Sequence, residues 1–304
     1  METPGHDDGA AEKHRAALVS LFAALVLTAL KLAVGLYTNS LGILSEALHS
    51  GLDLLAAAMT LAAVRISARP ADSCHPYGHG KVENLSALAE TLLLFLTCFW
   101  VVYEGAQRLL DGVSPVAPSL WGVAVMAVSM GIDINRVRIL RKVARQYKSQ
   151  ALEADALHFS TDILSSGVVL VGVLAVWMAA ALNLPEPLYR VLAQADTVAA
   201  LVVALIIFRA SLRMAVESIN ILMDSGSTRE QAEVIKAVWD VPGIKAVRRV
   251  RLRSSGPQTF VDLTIGVEPG IRVRDGHRLA HEAEQVVAAI LPGADVTVHV
   301  EPQS

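Results

Sequence analysis

The sequence predicts an α-helical membrane protein with six transmembrane helices followed by a small cytoplasmic α+β domain. Composition is the first observation behind this prediction. Of the 304 residues, 53% are hydrophobic and only 18% are charged, which is too apolar for a soluble domain of this size. The second observation is a series of apolar stretches that reach the ~20 residues a helix needs to cross the hydrocarbon core. The third is an abrupt change after about residue 224, where more polar patterns begin.

The six apolar segments follow a cytoplasmic tail, residues 1–13, and belong to a transmembrane domain over residues 14–223. They cover about 14–37, 41–66, 83–110, 118–140, 152–181 and 194–215. No basic region precedes the first segment and no small-residue cleavage pattern ends it, so we predict a retained span rather than a signal peptide.

Basic residues at the ends of the segments predict the orientation, because cytoplasmic connections are enriched in Lys and Arg. They are Lys13, Arg15, Arg65, Arg69, Lys81, Arg138, Arg141, Lys142, Arg145, Lys148, Arg209 and Arg213. All of them fall on one side if both termini are cytoplasmic. The connections on the other side are short and poor in Lys and Arg.

Residues 224–304 are predicted to form the cytoplasmic domain, in the order helix, strand, strand, helix, strand. The first helix covers 228–239, and the second covers 272–291, where Pro292 and Gly293 end it. The strands, each marked by alternating apolar residues, cover 245–254, 258–267 and 295–301. This αββαβ order is typical of a two-layer, ferredoxin-like domain.

Two polar octets with the same frame interrupt the apolar segments: EALHSGLD over 46–53 and DALHFSTD over 155–162. Each places a histidine and an aspartate at i, i+4, which is one face of a helix, one turn apart. The four side chains are His49, Asp53, His158 and Asp162. Ionisable groups in the bilayer cost about 2.5–3.5 kcal/mol each on insertion scales, so four of them need a compensating partner.

A divalent cation is the partner we predict for the octets, because two imidazoles and two carboxylates match the tetrahedral preference of Zn²⁺. The alternative is that the histidines only pack against a neighbouring helix, and the repetition of the octet argues against it. Glu46 and Asp155 lie three residues before His49 and His158. They either orient the imidazoles or interact with backbone or interface groups, and the sequence favours neither role.

The octets resemble the cation diffusion facilitator family of divalent-metal transporters, together with KLAVGLYTNSLGILSEALHS before the first octet and PADSCHPYGHGKVE over 70–83. The resemblance covers nearly the whole chain. It implies that the octet ligands form a transport site between the second and fifth spans of an inner (plasma) membrane protein. It also implies export of metal from the cytoplasm in exchange for protons, by a homodimer. Residue chemistry independently permits such exchange, since metal binding requires neutral His and ionised Asp.

The same resemblance implies a second metal site in the connection after the second span, formed by Asp72, His75 and His79. Gly78 and Gly80 let this loop curl, and a solvated loop with incidental histidines is the alternative. The resemblance also predicts an ion pair between Lys81 and a carboxylate just after the sixth span, for which Glu217 holds the matching place.

The cytoplasmic domain departs from the family pattern, because Arg248 and Thr264 stand where the family has strand histidines. The remaining candidate ligands are His277, His299 and Glu301. They predict one reduced regulatory or dimer-bridging site, with His281 as an extra candidate. A metal-free dimerisation domain is the equal alternative.

The predicted function is efflux of a divalent metal cation, with Zn²⁺ favoured over Mn²⁺ because the second span offers a histidine. Efflux of Fe²⁺, Cd²⁺, Co²⁺ or Mn²⁺ by the same mechanism is an alternative, as is a metal sensor or scaffold that does not transport. An enzyme is disfavoured, since four protein ligands would close the metal site. The expected partners are a second copy of the chain, divalent metal ions, protons and the lipid bilayer, and no nucleic acid. Asp133 in the fourth span either lies near the cytoplasmic interface or joins a proton or water path, and the sequence favours the first.

Overall fold

The structure, a computed structural model, describes residues 6–39, 41–111, 120–181 and 186–303. Six long helices come first: α1 (His6–Thr38), α2 (Leu41–Ser67), α3 (Val82–Asp111), α4 (Leu120–Tyr147), α5 (Gln150–Ala181) and α6 (Glu186–Leu222). Five shorter elements follow: α7 (Thr228–Trp239), β1 (Ile244–Ser255), β2 (Gln258–Val267), α8 (Val273–Ile290) and β3 (Asp295–Pro302).

Several of the long helices extend beyond the apolar segments that predicted them. Helix α4 continues to Tyr147 rather than ending at 140, and α6 begins at Glu186 rather than 194. The predicted segments were too short because apolar composition marks only the part of a helix that lies in the hydrocarbon core. The helices themselves continue into polar sequence beyond it. Residues 1–5 of the predicted tail and residues 118 and 119 of the predicted fourth span lie outside the described part of the chain.

Four of the described helical stretches are apolar and long enough to cross a membrane: Asp8–Thr38, Ile43–Ser67, Val82–Gln107 and Val198–Leu222. Helices α4 and α5 are not among them. The structure therefore has a helical membrane domain with four clear apolar spans, and the prediction of six spans stays a prediction.

The first compact unit comprises Met1–Ile66 and Leu85–Ser218. Its helices approach closely through small side chains, as helices in lipid commonly do. Buried alanines line the contacts, including Ala17, Ala24, Ala56, Ala57, Ala144, Ala151 and Ala154. A Cβ at Gly9 of α1 would meet the Tyr147 ring of α4, so the ends of these two helices also lie close together.

The second unit comprises Ser67–Asn84 and Ile219–Ser304. Its sheet has the order β1-β2-β3, in which β1 pairs antiparallel with β2 and β2 pairs parallel with β3. The two helices cover the sheet, and the buried core includes Val234, Val238, Leu263, Ile265, Ala283 and Val287. Ser227 caps α7 by accepting a hydrogen bond from the Glu230 backbone. The predicted order of these five elements is confirmed.

Candidate metal centre

Helices α2 and α5 bring the two polar octets together. His158 Nε2 lies 3.1 Å from Asp53 Oδ1 and 3.9 Å from Asp162 Oδ2. His49 Nε2 lies 3.9 Å from Asp53 Oδ1 and 3.9 Å from Asp162 Oδ1. Each imidazole therefore faces both carboxylates. We refer to these four side chains as the intramembrane cluster.

Three members of the intramembrane cluster are compact enough to hold one ion, since ligand atoms of Asp53, His158 and Asp162 all lie within 4.8 Å of one another. His49 reaches both carboxylates but lies outside this closest group. Asp53 and His158 are buried, with 8% and 6% exposure, whereas His49 is half-buried. The Nδ1 atom of His158 has no hydrogen-bond partner among the described residues, and the ring is oriented through Nε2 instead.

A cavity of about 90 Å³ adjoins the intramembrane cluster and is walled by α1, α2, α4 and α5. His49, Asp53 and Asp162 line it, together with further charged side chains of α1, α2 and α4. These are Lys31, Glu46, Asp133 and Arg136. The cavity is large enough for more than one water molecule, each of which occupies about 30 Å³ in the liquid.

Glu46 and Asp155 form no hydrogen bond to the imidazole that follows each of them in the sequence. Glu46 Oε2 lies 3.2 Å from Lys31 Nζ, and the same ammonium donates to Ser50 Oγ at 2.8 Å. Asp155 accepts a hydrogen bond of 2.5 Å from Ser20 Oγ. Both carboxylates thus bind side chains of α1, a role that neither of the two alternatives for them foresaw.

Sequence reasoning missed several buried charged residues of this unit. Arg136 is only 2% exposed; its guanidinium lies 3.2 Å above the Phe159 ring and its Nε donates to Ser20 Oγ at 2.7 Å. Glu90 of α3 is fully buried and accepts a hydrogen bond from Thr60. A charged residue within an apolar segment was the signal that could have found Lys31 and Glu90.

Asp133 is 9% exposed and lines the cavity beside the intramembrane cluster. Its expected position near the cytoplasmic interface stays a prediction. Helical spacing determines its face of α4, but sequence alone does not say which neighbouring helix that face meets.

Asp72, His75 and His79 lie together in the loop between α2 and α3, and we call them the loop cluster. Asp72 Oδ1 lies 3.3 Å from His75 Nδ1, and Asp72 Oδ2 lies 3.4 Å from His79 Nε2. Ligand atoms of all three lie within 4.8 Å of one another. The backbone N–H groups of His75 and Cys74 donate to Asp72 and hold the pKa of this exposed carboxyl below its ordinary value.

The loop cluster is held by contacts within the second unit. Tyr77 packs edge-on against Phe260 with ring centroids 5.2 Å apart, and the Arg253 guanidinium lies 3.9 Å from the Tyr77 ring centre. Gly80 lies so close to the backbone of Ser255 that a Cβ would collide with it. Gly78 has a φ of 77°, which glycine adopts without strain.

The candidate ligands of the C-terminal domain are only partly brought together in the single chain. His299 and Glu301 share a face of β3, with Nε2 and Oε1 3.4 Å apart. Glu301 also lies 3.2 Å from Arg248 Nη1. His277 is exposed on α8, and no cluster of three metal-binding side chains occurs in this domain among the described residues. His281 pairs with Glu284 at 3.0 Å instead.

The predicted Lys81–Glu217 pair is wrong in the single chain. Lys81 Nζ lies 2.8 Å from Asp224 Oδ1, whereas Glu217 accepts a hydrogen bond of 3.0 Å from Gln150. The reason is the length of α6: the helix continues to Leu222, so the carboxylate just beyond its end is Asp224.

Comparison with known proteins covers almost the whole chain. Residues 17–223 match the family model described as cation efflux transmembrane domain, and residues 227–303 match the cation efflux protein, cytoplasmic domain. The cation-efflux pump FieF of Cronobacter sakazakii is 32% identical over 293 residues, covering 95% of this chain and 93% of the relative.

Two further similar proteins are another FieF and a solved domain. FieF of Pectobacterium atrosepticum is 30% identical over 298 residues, covering 96% of this chain and 95% of the relative. Among solved structures, the nickel form of a MamM CTD variant is 23% identical and covers 26% of this chain and 100% of its own, with a TM-score of 0.25.

Proposed function

We propose that this chain, which belongs to the cation diffusion facilitator family, exports Zn²⁺ from the cytoplasm in exchange for protons. The family match itself makes the chain a membrane transporter for divalent metal cations rather than an enzyme. The choice of Zn²⁺ and the coupling to protons are the parts that we propose from the chemistry of the cluster.

The single observation that carries the proposal is the convergence of two imidazoles and two carboxylates in the intramembrane cluster. Bonds of 2.0–2.1 Å in a tetrahedron place neighbouring ligand atoms about 3.3 Å apart. The nitrogen–oxygen distances in the cluster are 3.1, 3.9, 3.9 and 3.9 Å. Small side-chain movements would therefore close the four groups around one ion, whose charge the two carboxylates balance.

Proton coupling follows from the ligands themselves. Zn²⁺ binds neutral imidazole and ionised carboxylate, so protons and metal compete for the same atoms. A low pH on the far side of the membrane releases the metal, and a higher cytoplasmic pH favours loading. Transport then needs two conformations that differ in the side from which the cluster is reached and in their preference for metal or protons.

The proposal includes the arrangement of the chain in the membrane. We place all six long helices across the inner membrane with both termini cytoplasmic, so that residues 14–223 form the transmembrane domain and residues 224–304 a cytoplasmic domain. A homodimer is part of the proposal. The family model that residues 227–303 match has the word dimer in its name, which supports this part.

We assign the loop cluster to a second cation. His277, His299 and Glu301 are proposed as ligands only where a second copy completes the set.

Purified protein in liposomes that contain a pH indicator and a zinc-sensitive dye tests the function. We expect Zn²⁺ entry to be accompanied by proton exit, and the flux to grow with an opposing proton gradient. Zn²⁺ binding without flux would indicate a sensor or scaffold instead. The same assay with Fe²⁺, Cd²⁺, Co²⁺ and Mn²⁺ tests the metal: a higher turnover for one of these ions than for Zn²⁺ would contradict the assignment to zinc.

A further inference from the structure

One face of α4 contributes polar side chains to the cavity that the intramembrane cluster also lines. These side chains are Ser129, Asp133 and Arg136, at i, i+4 and i+7, which is one helical face. Ser129 and Asp133 are 7% and 9% exposed. None of the three belongs to the two octets.

Four atoms of this face are buried without a hydrogen-bond partner among the described residues: the acceptors Ser129 Oγ and Asp133 Oδ1, and the donors Nη1 and Nη2 of Arg136. A buried polar atom without a hydrogen bond costs about 1–3 kcal/mol. Such atoms are therefore commonly satisfied by water or an ion, and all three side chains line a cavity large enough to hold one. The two oxygen atoms are the ones that a cation or its bound water can satisfy.

The charges around the cavity leave Asp133 incompletely neutralised. Lys31 and Glu46 form their own ion pair at 3.2 Å. Arg136 Nη1 lies 3.8 Å from Asp133 Oδ1, which is beyond hydrogen-bond distance. The Nε atom of Arg136 donates its hydrogen bond to Ser20 Oγ instead.

The guanidinium of Arg136 is also shared between two carboxylates. Ser20 connects it to the fully buried Asp155, so one cation serves both Asp133 and Asp155. In a medium of low dielectric constant, the remaining negative charge attracts a cation strongly.

We propose that Asp133 and Ser129 form a second cation subsite in this cavity, which takes a partly hydrated divalent cation before or after it occupies the intramembrane cluster. Carboxylate and hydroxyl oxygens suit ions that keep some of their water, because they bind directly or accept hydrogen bonds from bound water. The cavity of about 90 Å³ leaves space for that water. This inference rests on the proposed function, since it concerns the route of the same ion.

Equilibrium titration of the full-length protein with Zn²⁺ tests the subsite, in a background where Asp72→Ala and His75→Ala remove the loop cluster and His299→Ala removes a proposed ligand of the C-terminal domain. We expect each chain to bind one Zn²⁺ tightly and a second Zn²⁺, the weaker equivalent, with lower affinity. Asp162→Ala should abolish the tight binding. Asp133→Asn should lower the affinity for the second ion by about tenfold, the effect of one hydrogen bond to a charged group. Asp133→Glu keeps the charge and should restore the weaker equivalent. Glu104→Gln on α3, outside the cavity lining, is the control and should change neither.

Co²⁺ absorption separates the subsite from a structural role of Asp133. The tetrahedral Co²⁺ spectrum of the intramembrane cluster should be the same in Asp133→Asn and in the parent. Loss of that spectrum in both Asp133 variants would overturn the inference, because Asp133 would then support the main cluster. An unchanged weaker equivalent in Asp133→Asn would overturn it as well.

Two outcomes keep this test distinct from the test of the proposed function. Zn²⁺ binding that is weakened by Asp133→Asn but unchanged by Asp162→Ala would support the subsite and contradict the transport cluster. If Asp133→Asn does not fold, Ser129→Ala replaces it: we expect the KM for Zn²⁺ transport to rise about threefold, the effect of one neutral hydrogen bond. An unchanged KM in Ser129→Ala would then overturn the subsite.

Discussion

The intramembrane cluster and the loop cluster use the same ligand types in opposite surroundings. The first joins residues from two helices, with His158 and Asp53 separated by 105 positions, and both side chains are buried. The second lies within Asp72 to His79, and two of its three side chains are exposed. Burial makes every charge in the first cluster costly without its partner, whereas water and salt screen the second.

This difference predicts unequal consequences for the two clusters. Loss of one ligand in the buried cluster leaves an uncompensated charge that is largely shielded from bulk water. Loss of one ligand in the loop leaves a solvated side chain. The loop cluster instead depends on how firmly its backbone and Tyr77 are held. Changes in one cluster at a time therefore test that contrast.

The largest expected effect is the loss of zinc flux in Asp162→Ala. This variant removes one of only two carboxylates that balance the ion, so we expect transport to fall by at least about a hundredfold, the equivalent of a lost buried charge interaction. Measurement of flux in liposomes checks this. Asp262→Ala on the surface of β2, where the carboxylate pairs with Arg251, is the matched control and should transport normally. Near-normal flux in Asp162→Ala would remove the basis of the transport assignment.

An intermediate effect is expected from pH on the loop cluster. The pKa of Asp72 is lowered, so this carboxylate stays ionised even below its ordinary pKa of about 3.9. Acidification between pH 7.5 and 5.5 therefore weakens metal binding through the imidazole ligands rather than through Asp72, because Zn²⁺ binds neutral imidazole and competes with protons for it. We expect the Zn²⁺ affinity to fall by about ten- to a hundredfold over this range.

Titration of an Asp162→Ala protein at several pH values measures the loop cluster separately. The sign is definite: protons displace the metal, so affinity falls as pH falls. A midpoint near pH 4 would contradict the prediction, because it would mean that the carboxylate rather than the imidazoles controls binding.

The smallest expected effect is that of Tyr77→Ala. The ring contacts Phe260 and Arg253, and such contacts contribute about 0.5–1.5 kcal/mol. We expect Zn²⁺ affinity at the loop cluster to fall about three- to tenfold, with no change at the intramembrane cluster. Tyr77→Phe keeps the ring and is the control. Equal losses in both variants would show that the ring contacts are not what holds the loop.

Local patterns were sufficient for much of the fold. Strict alternation predicted β2 over 258–267, and the cap and apolar spacing predicted α7 over 228–239, with the bounds that the structure has. The i, i+4 spacing of the octets placed each histidine and its aspartate on one helical face. These features depend on neighbours within one turn or one strand, which is information that the sequence contains directly.

Which side chains pair with one another across distant elements could be determined only from the tertiary structure. Lys81 pairs with Asp224 rather than Glu217 because α6 runs on to Leu222, and composition did not reveal that length. Glu46 and Asp155 bind Lys31 and Ser20 of α1, and Asp133 lines the cavity.

By itself, the sequence determined that the chain is apolar enough for a membrane, that its C-terminal elements follow the order αββαβ, and that two helices each carry a histidine and an aspartate on one face. Only the tertiary structure decided that these faces meet, with His158 and Asp53 3.1 Å apart, and that α4 adds a carboxylate to the same cavity. The physical reason is that periodicity orients a face relative to its own helix axis. Which faces meet depends on packing among helices that are distant in sequence.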